Sequence, residues 1–132
     1  MATRYKSFER VKDIQKLADK YRKECPINVR AVNSWIVNRI FESPAPKYYV
    51  SFEEARRHVS KILRNQPLAI SNDLTVKTYK DLAEKVKEYN IKHNKNIISF
   101  DCLLDILDSP ASSFYLSKYT ILDIISKTNY RK

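Results

Sequence analysis

Glycine is absent from all 132 residues of this chain, where average usage of about 7% would supply roughly nine. Glycine is the residue that enters the left-handed backbone region without steric cost. A chain that lacks it has no Asn-Gly hairpin turn and no phosphate-cradling loop of the P-loop or dinucleotide type. Its helix ends must rely on Asn and Pro instead. The expectation is an all-α protein with tight chemistry excluded from its loops.

The second constraint is an internal repeat. Residues 42–51 read ESPAPKYYVS and residues 108–117 read DSPASSFYLS. Ser43/Ser109, Pro44/Pro110, Ala45/Ala111, Tyr49/Tyr115 and Ser51/Ser117 are identical at an offset of sixty-six, and Glu42/Asp108, Tyr48/Phe114 and Val50/Leu116 are conservative. An offset of sixty-eight pairs Asp13 with Asp81, Tyr21 with Tyr89 and Asn28 with Asn96. This spacing exceeds the usual solenoid periods and reads as a duplicated supersecondary unit. The predicted organisation is a basic three-helix repeat over 1–66, a connector at 67–75 and a second three-helix repeat over 76–132, the two sharing one core.

Apolar periodicity places the helices. The first runs over about 5–23, with Phe8, Val11, Ile14, Leu17, Ala18 and Tyr21 inward, and ends at Cys25-Pro26. Asn28 is the expected cap of a second helix that buries Val32, Trp35, Ile36, Ile40 and Phe41 and stops before Pro44. Tyr48-Tyr49-Val50 has the residue types of a short strand. Ser51 with Glu54 forms a capping-box pattern for a third helix that buries Phe52, Ala55, Val59, Ile62 and Leu63. Leu68–Val76 is read as a plain connector, with a small hairpin around Ser71-Asn72-Asp73 as the alternative. The second repeat restarts at Val76, Ser99 caps a short helix through Leu107, and Ser117 begins the last helix.

The formal charge of +10 comes from 25 basic and 15 acidic residues. Residues 1–66 hold 15 Lys/Arg against 7 Asp/Glu, and residues 67–132 hold 10 against 8. Eight of nine arginines lie in the first half. Arginine suits bidentate phosphate contacts, so the asymmetry points to a polyanion, first of all nucleic acid. The competing reading is a generically solvated basic surface.

Comparison of the repeats narrows the site. Arg57, Lys61 and Arg64 follow i, i+4, i+7 spacing and form one ridge with Arg56 beside it. At the offset of sixty-six these positions become Asp123, Lys127, Tyr130 and Leu122, so the second repeat has exchanged a basic stripe for apolar and acidic groups. Its last helix is apolar nearly all round and wants burial, in its own core or against a partner through residues 114–130. The expected nucleic-acid-binding residues are Arg56, Arg57, Lys61 and Arg64, extended by Arg30, Arg39 and Lys47, with Tyr48 as a stacking aromatic. Tyr49, shared by both repeats, is assigned to the core. The two helices flanking residues 42–50 outline a helix-turn-helix, although that connection is long for the motif.

No reaction is indicated. Cys25 and Cys102 lack metal-ligand spacing, and His58 and His93 have no carboxylate or cysteine at a useful distance. Asp105 and Asp108 form a lone acidic pair. Nucleophile, base and oxyanion site do not assemble, so neither catalysis nor a cofactor or metal is expected. The opening segment has no apolar signal core, and the most apolar stretch is too short to span a bilayer. A cytoplasmic location follows as the expectation.

At SPAPKYYVS and the helix after it, the chain resembles small uncharacterised proteins of Bacteroides-type bacteria and their phages. The resemblance covers about twenty-five residues per repeat, implies a phage or mobile-element origin and carries over no functional residue. It also lends a place in a virion to the alternative function, that of a helical adaptor or structural component of a larger assembly. The first reading stays a non-enzymatic nucleic-acid-binding protein acting through phosphates.

Overall fold

The computed structural model describes residues 2–94 and 99–130. Asn96 and the side chains of Lys127 and Tyr130 lie outside the described residues. Six helices appear among the described residues: α1 (Ala2–Glu24), α2 (Val32–Phe41), α3 (Phe52–Leu63), α4 (Asp73–Lys92), α5 (Leu103–Leu107) and α6 (Lys118–Tyr130).

The helix ends follow local chemistry. Ser51 caps α3 by accepting the Glu54 amide at 3.2 Å, and Ser117 accepts the Thr120 amide at the start of α6, also at 3.2 Å. Glu54 does not simply close a capping box, because its carboxylate takes the Tyr79 hydroxyl at 3.4 Å. At the far end of α3, Asn65 sits at φ 58°. The Gln66 amide then reaches the Lys61 carbonyl at 2.8 Å and the Asn65 amide the Ile62 carbonyl at 3.0 Å. That is a Schellman closure in which asparagine fills the usual glycine position. Asn94, φ 54°, follows α4 in the same conformation.

α1 starts three residues earlier than the sequence reading has it, at Ala2, and three later helix starts also differ. Residues 26–29 close a turn through the Val29 amide and the Pro26 carbonyl at 3.1 Å, so α2 starts after Ala31, with no side-chain cap from Asn28. Asn72 caps α4 by accepting the Leu74 and Thr75 amides. Leu74, Thr75 and Val76 are therefore helical, which removes the second arm of the hairpin alternative. Ser99 turns the chain onto the Asp101 amide, and α5 starts only after Cys102. Asn90, buried in α4, holds Ser99 through both its backbone amide and carbonyl.

No strand forms among the described residues, and the extended run at Tyr48–Val50 does not become one. Ala45 and Ala111, sixty-six residues apart, instead exchange two backbone hydrogen bonds of 3.0 and 2.9 Å as one isolated antiparallel bridge. Around it the aromatic residues interleave. Tyr48 stacks on Tyr115 at 6.3 Å and Tyr49 on Phe114 at 6.1 Å between ring centroids. The Tyr49 hydroxyl donates to Asp13 at 2.6 Å, while Tyr115, Tyr48 and Ser112 all donate to Asp81. Tyr115 is held at φ 57°, a region that costs a bulky residue about 1 kcal/mol or more. The stack and the Asp81 bond fix it there.

Helix packing crosses the chain's midpoint. α3 packs on α4 and α5, α6 packs on α1 and α2, and α1 and α4 pack on α2 and α5 respectively. Among the described residues the backbone of α3 does not come close to α1 or α2, nor that of α6 to α4 or α5. One continuous core results, containing Ile14, Ile36, Ile40, Val59, Leu82, Val86, Leu103, Ile121 and Ile125 from all six helices. Phe8, expected inside, is 59% exposed and carries the Lys12 ammonium over its ring. Cys102 is buried and Cys25 half-buried, both as free thiols. None of the described helices is long and apolar enough to cross a membrane.

Candidate nucleic-acid interface

The α3 helix divides its two faces by helical period. Ala55 and Val59 are fully buried, with Phe52, Ile62 and Leu63 packed at the core margin. On the opposite face Arg56, Arg57 and Arg64 are exposed and Lys61 is half-exposed. All four line one open groove of about 730 Å³, together with Ser60 and Gln66. From Arg57 to Arg64 the helix advances about 10 Å, a length that matches roughly three phosphate steps along one DNA strand.

None of these cations forms an ion pair among the described residues. Among the described residues the ion pairs are Arg22–Asp19 at 3.0 Å and Lys47–Glu9 at 2.9 Å, and neither involves the α3 stripe. Glu53 also lines the groove, whereas Glu54 is turned to Tyr79. His58, between Arg57 and the core, reports the local field. Burial first and the Arg57 guanidinium second hold its imidazole below the ordinary histidine range, with Lys61 acting the same way and Glu54 opposing. Its ring lies 4.4 Å from that of Tyr79, centroid to centroid, and its Nδ1 is buried without a hydrogen-bond partner.

The other expected site residues go elsewhere. Tyr48 is 2% exposed, wedged against Tyr115 with its hydroxyl on Asp81 and the Lys85 ammonium 4.9 Å from its ring centroid. It is a core residue and presents no face to a base, a correction to the stacking role. Burial and the Asp81 carboxylate push its phenol far up. Tyr49 is buried likewise, as expected. Lys47 is bound to Glu9, whose hydrogen bond raises its pKa. Arg39 is exposed on α2, with its guanidinium over the Trp35 and Tyr21 rings at 5.1 and 5.7 Å. Arg30 is exposed in the turn before α2. Neither Arg30 nor Arg39 lines the groove, and since the α2 and α3 backbones do not come close among the described residues, the helix-turn-helix outline fails.

Ser60 and Gln66 line the groove without belonging to the cationic pattern that marks the site in the sequence. Ser60 lies at i+3 from Arg57 and could have been found by period, whereas Gln66 enters the groove only through the left-handed Asn65. α6, which holds the positions sixty-six residues further on, shows no basic stripe among its described side chains: Leu122 and Asp123 are exposed, and Ile121, Ile124 and Ile125 are buried against the chain's own core. Tyr119, 82% exposed, is the large apolar residue α6 leaves most open. No group of three or more metal-ligating side chains occurs among the described residues. No known family, curated protein or solved structure matches the chain.

Proposed function

We propose that this chain is a non-enzymatic nucleic-acid-binding protein that grips phosphates along α3. The observation that carries the reading is the gathering of Arg56, Arg57, Lys61 and Arg64 in one groove with no ion pair to any of them among the described residues. Water now solvates these groups, and a phosphate strand would replace that water with charge-assisted hydrogen bonds. Counterion release then drives association and makes it salt-dependent.

The same reading takes the two halves as diverged duplicates. Exchanging residues at the offset of sixty-six turns the Tyr48–Tyr115 stack into the Phe114–Tyr49 stack, and maps the Ala45–Ala111 bridge onto itself. The Asp13–Tyr49 and Asp81–Tyr115 bonds correspond at offsets of sixty-eight and sixty-six. In this account the first half keeps the cationic helix, while the second has turned its equivalent helix into core.

Fluorescence anisotropy with a labelled duplex tests the proposal. Four phosphate contacts predict a slope of log K on log salt of about −3.6, hence roughly a 150-fold loss from 50 to 200 mM. Arg56→Glu, Arg57→Glu, Lys61→Glu and Arg64→Glu combined should abolish measurable binding. Equal affinity and equal slope in the variant and the wild type would sink the proposal. If neither binds, the adaptor reading gains, with Tyr119 and Leu122 as its exposed apolar contacts and light scattering as its assay.

A further inference from the structure

A smaller cavity, of about 280 Å³, is lined by side chains from both halves of the chain, the interleaved aromatic residues among them. Arg10 of α1 projects into it. The Arg10 guanidinium makes one long hydrogen bond, Nη1 donating to the Phe114 carbonyl at 3.4 Å, and lies 6.0 Å from the Tyr49 ring centroid. No ion pair to it exists among the described residues, and burial lowers its pKa from the ordinary arginine value. A guanidinium has five N–H donors. Most of those of Arg10 are therefore unspent at a place where solvation is poor, the situation in which an unpaired charge is costly and an oxyanion relieves it.

The rest of the lining includes hydroxyls. At the offset of sixty-eight Arg10 is replaced by Thr78, and at sixty-six Glu54 is replaced by Thr120; all four side chains line the cavity. Thr78 spends its hydroxyl proton on the Leu74 carbonyl at 2.9 Å and so stands in the lining only as an acceptor, with no donor for an anion. Thr120 and Ser117 share a hydroxyl contact of 3.0 Å. The Glu54 carboxylate, also in the lining, accepts from the Tyr79 hydroxyl. The lining thus offers the unspent donors of Arg10 and the one hydroxyl proton that Ser117 and Thr120 do not use on each other. The volume sits at the low end for small-molecule sites and is too small for a polynucleotide.

We infer that this cavity binds a small oxyanion, a carboxylate or a phosphate, with Arg10 as the anchoring residue. The inference is independent of the nucleic-acid reading, because Arg10 and the α3 groove have no lining residue in common.

Isothermal titration of inorganic phosphate and, separately, succinate into three proteins tests it: the wild type, the four-fold α3 glutamate variant and Arg10→Gln. The expected result is one saturable site with Kd below about 1 mM for at least one probe, retained in the α3 variant. Arg10→Gln should weaken it at least about tenfold. Phosphate alone binding would identify a phosphoryl ligand, and succinate alone a carboxylate. No saturable binding of either probe by the wild type overturns the inference. So does binding indifferent to Arg10→Gln, or binding lost only in the α3 variant. Should Arg10→Gln fail to fold, the Arg10 Nε–H resonance of the wild type replaces it as the readout: it must move on titration, and a static signal under saturating probe refutes the site.

Discussion

Phe114→Tyr would give the second aromatic pair the hydroxyl that the first already has. Tyr48 and Tyr115 stack at 20° and both donate to Asp81, whereas Phe114 stacks on Tyr49 at 14° and only Tyr49 reaches Asp13. If the halves are equivalent in space, the new hydroxyl meets Asp13 as that of Tyr48 meets Asp81. Phe114 is 2% exposed, so a hydroxyl without a partner there costs about 1–3 kcal/mol. A bond to a carboxylate contributes about 1.5–3 kcal/mol in the other direction. Phe114→Tyr alone should therefore stay within about 1 kcal/mol of wild type. In an Asp13→Ala background the compensation disappears. The coupling between the two substitutions should then be about 1.5–3 kcal/mol, read from urea unfolding of the wild type, both single variants and the double variant. A coupling below about 0.5 kcal/mol, the ordinary additivity error, would refute the spatial equivalence.

Two further outcomes follow from the packing and the titratable groups. His58 has a folded pKa held below its unfolded value of 6.5, so the unfolded chain binds the extra proton first and stability falls as pH drops below about 6.5. Urea midpoints at pH 7.5 and 5.5 should differ in that direction, and His58→Phe should flatten the difference; an unchanged slope would exclude His58 as its source. Fragments 1–66 and 67–132 should each show little fixed structure by NMR, because α3 loses α4 and α5 while α6 loses α1 and α2. Mixed, they should recover native dispersion, and a first fragment that folds alone would contradict the crossed packing.

Much of this structure can be read along the chain. The α1 and α3 stripes, the serine caps at Ser51 and Ser117 and the cationic ridge of α3 are local, and local period and capping chemistry report them. What was missed depends on residues far apart. Tyr48 looks like an aromatic among cations until Tyr115 and Asp81 close over it. Arg10 looks like one more basic residue until Phe114, 104 positions away, supplies its carbonyl. Likewise nothing at Asn28 forecasts that residues 26–29 form a turn of their own. Phe8 follows the apolar period yet stays exposed at 59%; the period gives the side of the helix, and the length of the partner surface decides where burial stops.

The crossed packing also sets a timetable. On the ribosome, α3 waits only for the next helix, α4, to emerge before it has a partner. α1 is in a different position, since beyond α2 its cover is α6, whose first residue Lys118 follows Glu24 by 94 positions. At a synthesis rate of 5–20 residues per second, the apolar stripe around Ile14 and Ala18 stands half-clothed for about 5–20 s. A cell making this chain must shield one amphipathic helix through nearly the whole of translation, which makes α1 the segment where chaperone engagement and aggregation would concentrate.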